Sequence, residues 1–221
     1  MSYILNIDTS SEIATISIAN SEKTLAYAQN TSQKDHASFT HTAIAAMLKQ
    51  ADLNFNGLNA ISVCGGPGSY TGIRIGMAAA KGLCYALNIP LIITSSLEIM
   101  ALSAIMQFPG DNKTLYCPMI DARRMEVFTA VYDRYLTPIL QPSALILQND
   151  SFKDLLVNYD IIFTGGGSKK LLFDESKKAK METVGINPEA LRILGFSSYN
   201  RSDFADPAFS EPFYLKNFAA G

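Results

Sequence analysis

Residues 61–83 read ISVCGGPGSYTGIRIGMAAAKGL, an apolar run that meets a glycine-rich turn and continues into a helix-forming segment. Ile61–Cys64 is short, apolar and largely β-branched, which is typical of a strand buried on both faces. The turn at 65–68 ends that strand, because glycine adopts backbone angles closed to other residues and Pro67 has no N–H to donate. Ser69 is a preferred residue type at a helix N-cap. The stretch therefore predicts strand, turn and helix in direct succession.

The predicted helix carries a stripe of small residues. Gly72, Gly76 and Ala80 recur at every fourth position, and residues four apart share one face of a helix. A glycine inside a helix is about 1 kcal/mol less favourable than alanine, so the stripe indicates close approach of another backbone. That neighbour is either the chain's own sheet or a second protein, and the sequence leaves both open.

The glycine-rich turn differs from the common phosphate-binding loops. Gly66, Gly68 and Gly72 are spaced G-x-G-x-x-x-G, one residue longer than the dinucleotide fingerprint, and no G-K-[ST] follows. Ser69 does not lie in G-x-S-x-G, the motif of a nucleophile elbow. Backbone N–H groups at a helix start can still bind an anion, so a weaker site stays open.

Composition indicates a folded globular protein. The 221 residues are 48% hydrophobic and 17% charged, which suits one large domain or two small lobes. The formal net charge of −2 lacks the basic excess of an independent nucleic-acid binder. If the chain acts on RNA, we expect another protein to hold most of that RNA.

The cysteine pattern and the N-terminal sequence predict a cytoplasmic protein. Cys64, Cys84 and Cys117 are widely separated and form no C-x-x-C, so neither a disulfide framework nor a zinc site is indicated. Met1 leads straight into a strand-like run, which argues against a signal peptide. The apolar stretch 89–106 contains Pro90 and Glu98, as expected for a strand and a buried helix and not for a membrane span.

The order of predicted elements indicates an α/β fold built by duplication. The first half reads as three strands, a helix, the strand and helix of 61–83, and a further strand and helix. The second half starts again: Tyr116–Asp121 repeats the spacing of Tyr3–Asp8, and the strand ending in Gly165 and Gly166 repeats the one ending in Gly65 and Gly66. We expect a first lobe at 1–108 and a second at 109–221, with the C-terminal stretch returning to the first.

Two lobes that each open with a hairpin bearing an aspartate resemble the actin-like ATPase superfamily, the duplicated ribonuclease-H-like (ASKHA) fold. Four motifs are similar to one family within it: NIDTSSE at 6–12, GGPGSYTGIRIGMAAAKGL at 65–83, PMIDARRMEVFTAVY at 118–132 and EPFYLK at 211–216. They resemble the TsaB (YeaZ) family of bacterial tRNA threonylcarbamoyladenosine biosynthesis. Members of that family are non-catalytic paralogues of the transferase TsaD.

This resemblance implies an accessory subunit, neither an enzyme nor a peptidase. It would be required for modification of the adenosine 3′ to the anticodon in tRNAs that read codons beginning with A. It would pair with TsaD and with the small ATPase TsaE, meet tRNA only through that complex and contact no membrane. Because a face made for a similar fold also fits a second copy, we expect the isolated chain to form a homodimer. The resemblance implies no cofactor of its own, apart from weak nucleotide binding at the complex interface. The resemblance puts the partner interface at Gly72, Arg74, Ile75, Gly76, Ala79, Ala80, His36, Phe39 and Ala43.

A second function, a stand-alone actin-like small-molecule kinase or ATPase, stays open. Asp8 and Asp121 stand where actin-like enzymes hold magnesium-bound phosphates. The alternative role of Asp8 is to cap its own turn through backbone hydrogen bonds. The candidate nucleotide or cleft site comprises Asp8, Thr9, Gly66, Gly68, Asp121 and Arg123.

No metal site is expected. The only two histidines, His36 and His41, are five residues apart, which turns the second side chain about 140° away from the first on a helix. Arg123 could pair with Glu126 across its turn or line a cleft. Lys169 and Lys170 follow the second glycine run, and we expect them to be solvated side chains at the start of a helix and not phosphate-binding residues.

Overall fold

The computed structural model of the chain describes residues 1–171 and 178–215. Lys216, the last residue of the fourth motif, lies outside them. The chain forms two compact units. The first unit contains Met1–Ser96 and Asn187–Phe213, and the second contains Leu97–Ile186 with the described C-terminal residues 214–215.

Ten strands and five α-helices are found among the described residues. In chain order they are β1 (Tyr3–Asp8), β2 (Ala14–Asn20), β3 (Thr24–Asn30), α1 (His36–Gln50), β4 (Ala60–Gly66), α2 (Tyr70–Leu87), β5 (Leu91–Ser95), α3 (Ser96–Gln107), β6 (Thr114–Asp121), β7 (Glu126–Tyr132), β8 (Pro138–Ile146), α4 (Lys153–Asn158), β9 (Asp160–Thr164), β10 (Ala179–Glu182) and α5 (Pro188–Asn200). Short 3-10 helices occur at Gln33–Asp35, Phe55–Gly57 and Gly166–Lys170.

The two sheets repeat one topology. The first has the order β3-β2-β1-β4-β5, and the second has β8-β7-β6-β9-β10. In the first sheet β1, β2 and β3 form an antiparallel meander, while β1, β4 and β5 run parallel. In the second sheet β6, β7 and β8 form the meander, while β6, β9 and β10 run parallel. This correspondence confirms the duplicated, actin-like α/β fold predicted from the sequence.

Alternation along β1 gives the first sheet two buried faces. Leu5 and Ile7 belong to the core that α1 and α2 cover, whereas Ile4 belongs to a second cluster with Phe196 of α5. Side chains alternate between the two faces of a strand, so each face needs its own covering helices. The helices α1 and α2 therefore lie on one side of this sheet and α5 on the other.

The compact units differ from the two ranges expected from the sequence, 1–108 and 109–221. The helix α3 packs with the second sheet, because its Leu97 and Ala101 join the cluster of Tyr116 and Ala130. The helix α5 packs with the first sheet, where Gly195 lies against Asn6. Thus α3, which follows the last strand of the first sheet, packs with the second sheet, and α5, which follows the last strand of the second sheet, packs with the first.

Candidate functional site

The glycine-rich turn after β4 is fixed to the turn between β1 and β2. The Ser69 N–H donates to the Ser10 carbonyl at 2.7 Å, and a Cβ on Gly68 would overlap that carbonyl oxygen. Gly66 has φ +108°, a conformation that favours glycine. Ser69 accepts a hydrogen bond from the Gly72 N–H at 3.2 Å, so it caps α2 as the sequence predicted. The strand, turn and helix of 61–83 are all confirmed.

The small-residue stripe of α2 faces the chain's own sheet. A Cβ on Gly72 would overlap the Thr9 carbonyl oxygen, and one on Gly76 would be 2.5 Å from Thr9 Oγ1. The Thr9 hydroxyl donates to the Gly72 carbonyl at 2.7 Å. Of the two neighbours that the sequence left open, the structure shows the internal one.

This orientation corrects much of the expected partner interface. Gly72, Gly76, Ala79 and Ala80 are buried within the first unit, and on α1 the same holds for His36 and Ala43. The reason is that α1 and α2 both lay their apolar side on the sheet. Arg74 is exposed, and Ile75 and Phe39 are half-buried.

The opposite side of α2 is exposed and combines small residues with one arginine and one tyrosine. We call the exposed positions Thr71, Arg74, Ala78, Gly82 and Tyr85 the outer α2 face. A Cβ on Gly82 would have no atom within 4 Å, so nothing within the described chain requires glycine there. Tyr85 is 88% exposed, and the Arg74 guanidinium lies 3.7 Å from the centre of the Tyr70 ring. Of these five positions, only Arg74 was among the interface residues expected from the sequence.

The neighbouring helix α1 has an exposed side of similar character. Its exposed positions include Ser38, Thr42, Ala45 and Lys49, which lie three or four residues apart. The two helices cover the same face of the sheet and contact each other. A partner at the outer α2 face could therefore reach α1 as well.

Asp8 is fully buried at the end of β1. Its Oδ1 accepts hydrogen bonds from the Ser10 N–H at 2.9 Å and from the Ser10 hydroxyl at 2.7 Å, which is the turn-capping role that the sequence left open. Burial raises the pKa of the Asp8 carboxyl above its ordinary value, although the bonds from Ser10 oppose that shift. Asp8 Oδ2 is buried without a hydrogen-bond partner among the described residues, so a magnesium ion would reach this carboxyl only if the surrounding contacts opened.

The other groups around Asp8 are buried too. His36 Nε2 lies 3.2 Å from the Ser11 carbonyl, to which a ring N–H can donate. Burial and the nearby Asp8 charge raise the pKa of the Cys64 thiol well above its usual range, so Cys64 is an unreactive thiol. His41 is exposed. Among the described residues, no three His, Cys, Asp or Glu side chains are grouped to hold a metal ion.

Asp121 lies in the second unit, in a turn of its own. Its carboxylate accepts from the Lys170 ammonium at 2.5 Å and from the Arg123 N–H at 2.7 Å. The bond from Lys170 lowers the pKa of Asp121, with a further contribution from the Arg123 N–H. Unlike Asp8, Asp121 is exposed, with 54% of its side chain accessible.

Within the described ranges, no helix has both the length and the apolar character that crossing a membrane requires. The expected strand–helix content of 89–106 is confirmed as β5 and α3.

Comparison with known proteins defines the family. The family model described as "TsaD: tRNA N6-adenosine threonylcarbamoyltransferase" matches residues 24–200. A curated relative, the tRNA threonylcarbamoyladenosine biosynthesis protein TsaB of Bacillus subtilis, is 37% identical over 129 residues, 58% of this chain and 54% of the relative. The protein of the same name from Haemophilus influenzae is 32% identical over 57% of this chain and 51% of the relative. The chain spans about half the length of these curated relatives.

A longer but weaker match is the TsaB protein of Buchnera aphidicola subsp. Schizaphis graminum, 28% identical over 87% of this chain and 91% of the relative. Among solved structures, YeaZ from Pseudomonas aeruginosa superposes with a TM-score of 0.80 at 21% identity, covering 97% of this chain and all of that one. At this identity the likeness concerns the fold. Because the family model covers most of the chain, the chain belongs to the TsaD family that the model describes, and its curated relatives are TsaB proteins.

Proposed function

We propose that this chain is a non-catalytic subunit of the machinery that makes threonylcarbamoyladenosine in tRNA. Its partner would be a TsaD-type transferase of similar fold, joined by a TsaE-type ATPase. The modified base would be the adenosine 3′ to the anticodon in tRNAs reading codons that begin with A. The family match and the names of the curated relatives support this biosynthetic role.

One structural observation carries the subunit role: the outer α2 face is exposed and combines small residues with a large exposed ring, which is the chemistry of a helix contact. Gly82 has open space around it in the middle of an 18-residue helix, although glycine there is about 1 kcal/mol less favourable than alanine. Small residues on a helix let another helix approach closely, and the exposed ring of Tyr85 beside them offers a large contact area.

The partner interface proposed here is shifted from the expected residues to this outer face. Arg74 stays in the proposal because it is exposed between Thr71 and Ala78. Gly72 and Gly76 contribute indirectly, since their contacts with Thr9 fix α2 on the sheet and so set the position of the outer face. We propose the same face for self-association of the isolated chain.

The proposed mechanism is conformational. A subunit that binds one arrangement of the transferase more tightly than the others raises the population of that arrangement. By docking through α2, this chain would hold the transferase with its active site formed. The differential affinity between the arrangements sets how strong the activation can be.

The alternative, a stand-alone kinase or ATPase, is disfavoured by the surroundings of Asp8. Thr9 and Ser10 fill the first turn, and the glycine-rich turn lies directly on Ser10. Phosphate would have to displace these contacts before it reached Asp8. Asp121 and Arg123 are exposed in the second unit, so a weak nucleotide contact there remains part of the alternative.

Reconstitution tests the proposal. The purified chain is mixed with the transferase and the ATPase from the same organism, tRNA and the threonylcarbamoyl donor, and both the mass of the complex and tRNA threonylcarbamoylation are measured. We expect a heteromeric complex whose activity needs this chain. Magnesium-dependent nucleotide turnover by the chain alone, lost in Asp8→Ala, would instead support the kinase or ATPase.

A further inference from the structure

We propose that the tip of the β6–β7 hairpin contacts the phosphodiester backbone of the RNA substrate through Arg123 and Arg124. This inference rests on the proposed function, which makes a tRNA the substrate of the assembly. It adds a contact made by this chain's own residues to an RNA held mainly by the partner.

The two arginines have an unusual backbone. Arg123 has φ 69° and Arg124 has φ 49°, so two consecutive bulky residues lie in the left-handed region, where non-glycine residues are uncommon. Three hydrogen bonds enforce the turn: Arg123 N–H to Asp121 Oδ1, Ala122 N–H to the Glu126 carbonyl and Glu126 N–H to the Arg123 carbonyl. Asparagine or glycine would suit these angles better, so the turn geometry does not explain why arginine occupies both positions.

Arg123 and Arg124 are both exposed. Neither makes an ion pair or a side-chain hydrogen bond with any residue in 1–171 or 178–215. Arg123 is therefore not paired with Glu126, one of the two arrangements considered from the sequence. Asp121, the carboxylate next to them, is already bound by Lys170, which also donates to the Glu126 carbonyl at 2.9 Å.

A third exposed cation comes from a neighbouring segment. The 3-10 helix Gly166–Lys170 lies beside the turn end of the hairpin, where a Cβ on Gly167 would be 2.9 Å from the Val127 side chain. Lys169 is exposed and directly precedes the Lys170 that binds Asp121. We call Arg123, Arg124 and Lys169 the basic tip.

Phosphodiester is the ligand that this arrangement fits. A guanidinium donates two parallel hydrogen bonds to phosphate oxygens, and the fixed turn reduces the ordering needed on binding. Three cations on a chain of net charge −2 give a local contact and not independent RNA binding. Arginines that dominate protein interfaces are usually enclosed by well-packed apolar groups, whereas the tip itself offers one exposed apolar side chain, Met125.

The test uses the complex of this chain with the transferase and an unmodified tRNA transcript. The dissociation constant is measured over a series of salt concentrations for the wild type and for Arg123→Asn/Arg124→Asn. Asparagine tolerates the left-handed region, so this variant keeps the turn while it loses two charges. The control is Lys113→Asn/Arg134→Asn, which removes two exposed charges from the same unit at the end of β6 and β7 opposite the basic tip.

We expect the tip variant to bind tRNA about tenfold more weakly at low salt, and the slope of log Kd against log salt to fall by about two. Arg123→Lys/Arg124→Lys should keep most of the slope, and the control should match the wild type. Unchanged affinity and slope in the tip variant would overturn the inference.

Two other outcomes separate the inference from the proposed function. If the tip variant fails to assemble with the transferase in the absence of tRNA, the tip binds a protein carboxylate and the RNA contact is wrong. If the wild-type chain forms no complex at all, the proposed function fails and the inference fails with it. Normal assembly with unchanged tRNA binding refutes the inference alone.

Discussion

Gly76 of α2 lies against Thr9 of the β1–β2 turn, and a Cβ at Gly76 would be 2.5 Å from Thr9 Oγ1. That hydroxyl is held by its hydrogen bond to the Gly72 carbonyl, so it cannot move aside without losing the bond. Close packing between this helix and the first turn therefore requires glycine. Gly82, six residues later, has no such neighbour among the described residues.

The two glycines should respond oppositely to alanine. Gly76→Ala forces the new methyl group against Thr9, and we expect the free energy of unfolding to fall by about 1–3 kcal/mol. Gly82→Ala adds a methyl group in open space and should raise it by up to about 1 kcal/mol. Thermal and urea unfolding of the isolated chain measure both changes. Equal effects at the two positions would contradict the inward orientation of the stripe.

Asp8 should make the stability of the chain depend on pH. Because burial raises its pKa above 3.8, the folded chain binds more protons than the unfolded chain between pH 3.8 and the folded pKa. The free energy of unfolding should fall as pH rises through that window. Ser10, Cys64 and His36 are the groups that face this carboxyl.

Asp8→Asn isolates this effect. The variant has no carboxyl at position 8, so the wild-type stability minus the variant stability should become more negative as pH rises from about 4 towards the folded pKa. Asp121 and Glu189 have lowered pKa values and act in the opposite direction, but they are common to both proteins and cancel in the difference. A difference that stays constant across pH would contradict the burial of Asp8.

Glu189 should stabilise the attachment of α5 to the first sheet. Its carboxylate accepts from the Thr24 N–H at 2.7 Å and from Arg192 Nε at 2.5 Å, and Arg192 also donates to the Ser21 carbonyl at 2.7 Å. Glu189→Gln should lower the free energy of unfolding by about 1–2 kcal/mol. The matched control is Glu22→Gln, an exposed position in the β2–β3 turn.

The loss at Glu189 should also depend on pH. Burial raises the pKa of this carboxyl, but hydrogen bonds from Thr24 and Arg192 outweigh it and hold the pKa below 4.5. The stabilisation is therefore present above pH 4.5 and is lost as pH falls through the folded pKa. Urea unfolding at about pH 7 and about pH 3 should show a larger difference between wild type and variant at the higher pH.

The isolated chain should form a homodimer through the outer α2 face. A face suited to a related fold also suits a second copy of this one, in a two-fold arrangement. Tyr85→Ala removes the most exposed ring of that face without touching the core, so it should shift the chain towards the monomer. Sedimentation equilibrium measures the change, and Tyr135→Ala, at another strongly exposed tyrosine, is the control. A dimer unaffected by Tyr85→Ala would assign self-association to another surface.

Local signals in the sequence predicted much of the fold. The strand, turn and helix of 61–83 were predictable because the apolar run, the glycines and the Ser69 cap act on their own neighbours. The strand β8 was missed because it contains Pro138 and Pro142, and prolines are tolerated there only because β8 is an edge strand. The helix α4 has six residues and β10 has four, too few for a periodic pattern.

The candidate site was less predictable, for a physical reason. A glycine stripe shows that a helix has a close neighbour but not which neighbour it is; Thr9 is 63 positions before Gly72 in the chain. The turn-capping role of Asp8 follows from its residue type, whereas its complete burial depends on the helices and the second turn that cover it. The two adjacent left-handed arginines carry no local sequence signal, since asparagine or glycine is the usual choice there.

The most direct test of the subunit role is the affinity of Gly82→Leu for the TsaD-type transferase, measured by calorimetry beside the wild type. Gly185→Leu is the matched control, because Gly185 is also exposed and also has open space around its Cβ position. We predict that Gly82→Leu unfolds at the wild-type temperature or above but binds the transferase at least about tenfold more weakly, whereas Gly185→Leu binds normally. Wild-type affinity in Gly82→Leu would contradict docking through the outer α2 face.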